Sequence, residues 1–289
     1  MRNETEIKNL IVDFAKQDDR VRAVLLNGSR ADANIKPDRL QDFDVFLIVD
    51  DLKSFTNNHH WTDFLGDKVI SQLPDEMVIG RDVNKEPIDF HYLMLFNDGN
   101  RIDLTLFPRQ KLESHFKLER LTIVWLDKDN LFAGIDPASD KDYHIKKPSA
   151  REFSDTCNEF WWVCTYVVKG LLRDEITYAK EMTETAVRPM LMKMIEWKTG
   201  VDHSFSVSFG TAGKFMKKYL TDDLYKEILQ IYSNYEVEEN WKSLFVMTTI
   251  FQQLSNEVAQ KLNFQTNTNE QNNTLEYLKQ KYDGQKKYR

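Results

Sequence analysis

The chain has 289 residues, 41% of them hydrophobic and 29% charged, with a formal net charge of −7, which is enough apolar content for the core of one large domain or two of ordinary size. The acidity is uneven: residues 1–147 carry 21 Lys+Arg against 27 Asp+Glu, and residues 148–289 carry 18 against 19. An acidic half repels a nucleic acid backbone and attracts cationic small molecules or divalent metals, unless it serves solubility alone.

The longest largely apolar stretch, Phe160 to Val168, falls far short of the roughly 20 residues a membrane span needs. The amino terminus is charged rather than signal-like, so neither membrane nor export is expected. Cys157 and Cys164 are the only cysteines and stand seven apart. On one helical face they suit reduced core thiols in a cytoplasmic protein better than a disulfide or a zinc site.

In chain order, Asn3 followed by Glu6 opens a helix with Ile7, Leu10, Ile11 and Phe14 at helical spacing, ending near Asp18. Val21 to Leu26 reads as a strand running into Gly28 and Ser29. Phe43 to Val49 follows as a second strand, and Trp61 to Leu73 as a helix. Ile88 to Phe96 and Arg101 to Phe107 flank Asn97-Asp98-Gly99-Asn100, whose Asp-Gly pair predicts a hairpin of antiparallel neighbours. Pro108 starts a helix to about Arg120, and Leu121 to Leu126 is one more strand. The period is lost over Asp127 to Pro148, so a domain of residues 1–147 is expected to be followed by one of residues 148–289. The second half reads as a helical bundle: Phe153, Cys157, Phe160, Cys164, Val167 and Leu171 form one stripe. Others run through Ile176 to Trp197, Leu220 to Tyr232 and Trp241 to Leu262. From Gln265 a polar, low-complexity run is expected to be a mobile connector to a last short helix or a loose tail.

Asp42 and Asp44 flank Phe43 at a strand start, and side chains alternate faces, so both carboxylates point one way while Phe43 points to the core. Crowded carboxylates either hold a cation or stand in open water at a strand end. Magnesium is the natural ion, since it takes hard oxygen ligands from one or two carboxylates plus substrate phosphates. Gly28 lets the backbone approach a phosphate, and the Ser29 hydroxyl with neighbouring N–H groups can donate to it. Asp103, between Ile102 and Leu104 on the second hairpin arm, offers a third carboxylate.

Gly28-Ser29, then Asp42-Phe43-Asp44, then Asp103 between two apolar residues resembles the signature of the DNA polymerase β-like nucleotidyltransferase superfamily over roughly residues 20–127. More narrowly, the chain is similar to bacterial aminoglycoside 6-adenylyltransferases over nearly its whole length. Leu-Asn-Gly-Ser-Arg, Gln-Asp-Phe-Asp-Val, Arg-Ile-Asp-Leu-Thr-Leu, Cys-Asn-Glu-Phe-Trp-Trp and Lys-Gly-Leu-Leu-Arg-Asp-Glu-Ile carry this likeness. The resemblance implies an α+β protein, with an N-terminal nucleotidyltransferase fold on a mixed sheet and a C-terminal helical bundle. It also implies ATP as donor, pyrophosphate as leaving product and the streptomycin 6-hydroxyl as acceptor.

On that reading Asp42 and Asp44 are metal ligands, Gly28 and Ser29 cradle the β/γ-phosphates, and Asp103 is a ligand of a second Mg2+ or the general base. Two such ions stabilise the attacking and leaving oxygens of an in-line displacement. Arg30 either neutralises phosphate charge or pairs with a nearby carboxylate.

Past Ser149, Asp155, Asn158, Glu159, Trp162, Tyr166, Lys169 and Arg173 share a polar helical face. Its carboxylates suit the guanidinium groups of a cationic aminoglycoside, Trp162 or Trp161 a stacked ring, and Lys169 or Arg173 phosphates; otherwise it is a solvated face. Lys214, after Gly210 and Gly213 at an expected helix start, is a further phosphate candidate or a surface lysine. Asp82, Glu86 and Asp89 either widen an acidic pocket or line an exposed loop. None of the six histidines falls in a metal-ligand spacing, and His59-His60 reads as polarity at a helix start. The alternatives are a transferase for another small hydroxyl compound or a protein, or a silent nucleotide-binding module. RNA tailing is disfavoured because no basic aromatic stripe is present, and the protein is expected to act as a monomer.

Overall fold

The computed structural model describes residues 1–79 and 87–286. The chain divides into two compact units, Met1–Asp142 and Tyr143–Arg289, against the expected boundary at 147. The first is built on a mixed sheet and the second is all helix, which makes the protein α+β.

The first unit opens with the helix Glu4–Gln17, closed by a capping box in which Asn3 accepts from the Glu6 N–H and the Glu6 carboxylate accepts from the Asn3 N–H. Six strands follow: β1 Val21–Asn27, β2 Phe43–Val49, β3 Lys68–Gln72, β4 Phe90–Phe96, β5 Arg101–Pro108 and β6 Thr122–Asp127. Their order is β3-β4-β5-β2-β1-β6, with β2 and β5 parallel and every other pair antiparallel. Central strands β1 and β2 are nearly continuous apolar runs because both of their faces are covered over much of their length. In β4, Phe90, Tyr92, Met94 and Phe96 are buried on one face while His91, Leu93 and Leu95 are half-buried on the other.

The two faces of the sheet differ. On one lies the main core, where the first helix's Ile7, Ile11 and Ala15 meet Val24, Leu26, Phe43, Val45, Leu47, Ile102, Leu104 and Leu106. The other has only a small apolar cluster of Ala23, Leu25, Ile48, Phe107 and Phe132, with Phe46 and Phe116 packed against it. Elsewhere on that second face lies a row of polar residues, Thr122, Asn27, Asp44 and Asp103, with Leu93 beside it.

Two expected helices are otherwise in the structure. Trp61 to Leu73 splits into a 3₁₀ turn over His59–Leu65 and edge strand β3. Gly66, at φ 114°, ends the turn, and β-branched Val69 and Ile70 then extend beside β4. After Pro108 there is a 3₁₀ turn, Arg109–Lys111, and a single helical turn, Leu112–His115. Phe116 stops it by turning extended to pack edge-on against Phe46, Phe107 and Phe132.

The helical unit contains Ala150–Leu172, Ile176–Met182, Arg188–Asp202, Asp222–Leu229, Val237–Leu262 and Thr268–Lys286 as its longer helices. Ser149 and Glu152 form a second capping box. The stripe from Phe153 to Leu171 enters one core, where Phe160 and Phe251 stack at 3.7 Å between ring centroids. Both thiols are free, Cys164 buried and Cys157 half-buried. Thr268–Lys286 corrects the expectation of a short helix or loose tail: Asn267 accepts from the Glu270 N–H at its start, and Leu275, Leu278 and Tyr282 reach the core. No described helix is long and apolar enough to cross a membrane.

The amino terminus and the hairpin tip are tied together. Asp98 accepts from the Arg2 backbone N–H at 3.1 Å, from Arg2 Nε at 2.6 Å and from Asn100 Nδ2 at 2.9 Å, and the Arg2 guanidinium beside it holds the carboxyl well below the usual range. A carboxyl depressed in the folded state stabilises the fold above its unfolded value of about 3.9, and that support is lost as pH falls through the lower folded value. Asp98→Asn is therefore expected to cost about 1–2 kcal/mol in urea denaturation at neutral pH, and the gap from wild type should narrow on acidification from about pH 5 to about pH 2. A gap that stays constant with pH would show that the Arg2–Asp98 pair adds nothing to the fold.

Candidate active site

The polar part of the second sheet face is organised by strand register. Thr122 on β6 faces Asn27 on β1, Asn27 faces Asp44 on β2, Asp44 faces Asp103 on β5, and Asp103 faces Leu93 on β4. Directly paired residues project to the same side, and strands lie about 4.8 Å apart, so Asp44 and Asp103 are neighbours. Asp42 follows the same alternation two residues before Asp44. Buried Asn27 and Thr122 extend the row, the Thr122 hydroxyl donating to Asn27 Oδ1 at 2.9 Å.

The loop after β1 brings Gly28 and Ser29 to this row. Gly28 to Arg30 form one 3₁₀ turn in which the Ala31 N–H donates to the Gly28 carbonyl. Gly28 has φ 72°, the left-handed region, and a Cβ built there would fall far inside contact distance of Asp44 Oδ2. Glycine is thus required both by its dihedral and by the carboxylate pressed against it. Gln41 Nε2 reaches the Ser29 carbonyl at 3.3 Å and hydroxyl at 3.4 Å.

Burial pushes the Asp44 carboxyl up to about 6, with Asp103 and Asp42 adding to the rise and Arg101 opposing it. Arg101 answers part of the crowding. Its Nε and Nη2 donate to the two oxygens of Asp103 at 2.8 and 2.7 Å, and its Nη1 lies 3.7 Å from Asp42 Oδ2. Among the described residues no three His, Cys, Asp or Glu side chains are already gathered as a metal cage. The donor set itself fits Mg2+: hard oxygens on one rigid face, like charges forced together, and a glycine that admits the Asp44 carboxylate.

The Arg30 guanidinium donates to the backbone carbonyls of Asp42 and Gln41 at 3.0 and 2.7 Å, pairs with Glu4 at 3.2 Å and stacks over Phe43 at 3.7 Å. It braces the Asp42–Asp44 segment from the core side, and its carboxylate partner is Glu4. His91, on the polar face opposite Thr105, is bound to Asp75 at 2.8 Å, with Asp89 3.9 Å from its other ring nitrogen. Asp82 and Glu86 lie outside the described residues. His59 joins Tyr92 and Glu76, opening a 3₁₀ turn rather than the expected helix.

Within the helical unit, Asp155, Asn158, Glu159, Trp162, Lys169 and Arg173 are exposed on Ala150–Leu172 and at its end. Asp155 pairs with Arg151, Asn158 donates to Glu270, and Trp162 Nε1 donates to the Tyr166 hydroxyl. Lys169 lies over the Tyr166 ring at 5.4 Å. Trp161 cannot stack on a ligand: it is buried, edge-on to Phe160 and Phe251. Lys214 follows a 3₁₀ turn, lies over the Phe215 ring and precedes by two residues the short helix Met216–Tyr219.

Sequence reasoning assigned no role to Arg101 or Asn27. The first was legible, since residues 101 and 103 share a strand face at a spacing of two. Asn27 was not, because its place opposite Asp44 depends on register.

A family model described as streptomycin adenylyltransferase matches residues 1–281. An aminoglycoside 6-adenylyltransferase of Campylobacter jejuni is 41% identical over 92% of this chain and 91% of its own length. One from Bacillus subtilis is 40% identical over 91% of this chain and 92% of its own. The crystal structure of an aminoglycoside 6-adenyltransferase from Bacillus subtilis is 35% identical, spans 98% of this chain and 99% of that one, and has a TM-score of 0.48.

Gly28→Ala tests the bend. The added methyl group must displace the Asp44 carboxylate and also take a strained dihedral, so a loss of about 1–3 kcal/mol in urea denaturation is expected, with a changed Asp44 rotamer in a crystal structure of the variant. Unaltered stability with Asp44 in place would show that the bend tolerates a side chain.

Proposed function

The chain belongs to the streptomycin adenylyltransferase family, and from that premise we propose that it transfers the adenylyl group of ATP to the 6-hydroxyl of streptomycin, releasing pyrophosphate. Relatives at 40–41% identity over nine-tenths of the chain make it a nucleotidyltransferase that acts on an aminoglycoside, an antibiotic-resistance enzyme. The observation that carries the site is the direct opposition of Asp44 and Asp103 across parallel strands, beside a glycine that yields its Cβ space to Asp44.

In this reading Asp42, Asp44 and Asp103 hold magnesium, which when bound neutralises the triphosphate and the departing pyrophosphate. The Ser29 hydroxyl and the N–H groups of the Gly28–Arg30 turn donate to the β/γ-phosphates. Asp103, half-buried on β5, holds metal and accepts the proton of the acceptor hydroxyl as it attacks the α-phosphorus. Arg30 keeps Asp42 and Asp44 in place by holding the carbonyls of Gln41 and Asp42. Glu159 and Trp162 are the best acceptor candidates of the helical unit: Glu159 is exposed, and Trp162 is 58% exposed, suited to a cationic ring compound. Asp155 and Asn158, already paired, are secondary acceptor contacts, and Lys169, Arg173 and Lys214 remain as phosphate contacts.

The test is pyrophosphate release with magnesium, each of the four nucleoside triphosphates and a panel of aminoglycosides. Release is expected with ATP and streptomycin, and Asp44→Asn should lower it by about 100-fold or more at unchanged circular dichroism, since a metal supplies several kcal/mol of transition-state stabilisation. Release with a different aminoglycoside alone would replace streptomycin as acceptor, whereas near-normal turnover of Asp44→Asn would overturn the metal assignment.

A further inference from the structure

The contacts of Arg101 compete with the proposed metal binding. Its fork closes on both oxygens of Asp103, and its remaining nitrogen approaches Asp42. These are oxygens that a divalent cation would use, so guanidinium and metal are alternatives at Asp103. The side chain is 45% exposed and starts β5 just past the hairpin turn, and its guanidinium is held by the Asp103 carboxylate. Arg30 is the contrast, 7% exposed, stacked on Phe43 and bound to two backbone carbonyls.

We infer that Arg101 is an exchangeable counter-cation and triphosphate ligand: it neutralises Asp103 and Asp42, yields their oxygens when the metal–nucleotide arrives, and turns its guanidinium onto the phosphates that come with it. A planar fork matched to a carboxylate matches a phosphate equally well. The distance to cover is short, because the phosphates bind to metal held by the same carboxylates that Arg101 already touches. The exchange makes and breaks no covalent bond. It keeps the acidic row partly neutralised throughout, which lowers the electrostatic cost of assembling three carboxylates. The inference rests on the metal-binding reading of Asp42, Asp44 and Asp103.

The experiment measures two affinities on the full chain, for wild type, Arg101→Gln, Arg101→Lys and Asp44→Asn, with folding checked by circular dichroism. One is Mn2+ alone, read from the electron paramagnetic resonance signal of free Mn2+. The other is the α,β-methylene analogue of ATP with Mg2+, read by calorimetry. Removing an exposed competing ion pair should tighten Mn2+ binding by about two- to fivefold, while losing charged hydrogen bonds to phosphate should weaken nucleotide binding by roughly tenfold or more. Arg101→Lys keeps the charge but loses the fork, so it too should bind Mn2+ more tightly than wild type. Changes of the same sign for both ligands, or none, would overturn the exchange. A lysine variant with wild-type Mn2+ affinity would also overturn it, by reducing Arg101 to a distant positive field. Mn2+ binding that Asp44→Asn leaves intact would locate the failure in the metal reading itself, and the inference would fall with it.

Discussion

Repulsion between carboxylates held by strand register is the constraint around which the first unit is organised. Two such charges roughly 5 Å apart, at an effective dielectric of about 20, repel by roughly 3 kcal/mol. The parallel pairing of β2 with β5 nevertheless puts Asp44 beside Asp103. Burial raises the Asp44 carboxyl and the charges of Asp103 and Asp42 add to the rise, an effect opposed by Arg101, whose fork spans Asp103 and reaches toward Asp42. A fold selected for stability alone gains nothing from this arrangement, and perturbed carboxyls of this kind mark working sites.

Holding the row rigid requires that its supporting layer be apolar and its own layer be open. Alternation along β2 and β5 satisfies both conditions: Phe43, Val45, Ile102 and Leu104 enter the core with the first helix, while the acidic residues face away. The brace comes from the core side, where Arg30 stacks on Phe43 and clamps the two carbonyls that precede the acidic strand. An arginine adjoining a glycine–serine bend can thus serve the site through the backbone. The hairpin of β4 and β5, pinned at its tip by Asp98 and Arg2, maintains the register from the other side.

The helical unit obeys a simpler rule. Each long helix buries one stripe, and Ala150–Leu172 leaves a polar stripe on its other face. The neighbours Trp161 and Trp162 illustrate how sharply the helical period sorts residues, one fully in the core and the other largely in solvent. The last helix makes the same point from a poorer sequence: a spacing of four, three and four from Gln271 through Leu275 and Leu278 to Tyr282 is enough to dock a segment otherwise full of asparagine and glutamine.

Local chemistry determined much of this protein from sequence alone. The capping boxes at Asn3 and Ser149, the Asp-Gly hairpin, strands β1, β2, β4 and β5, and the facing of Asp42 and Asp44 opposite Phe43 all depend on residues close along the chain, so they were legible without coordinates. The acidic signature and its family likeness were legible for the same reason. Only tertiary structure decided that Val69 and Ile70 form an edge strand beside β4, because a short apolar run fits helix and strand alike until a partner is supplied. It also decided that Phe116 ends a helix after one turn and that a polar tail is a packed helix. The roles of Arg30 and Asn27 belong to this second class, whereas the pairing of Arg101 with Asp103 is local. Which side of a sheet an arginine reaches, and which residue lies across from a given aspartate, are set by register and packing between segments tens of residues apart, and no local pattern encodes them.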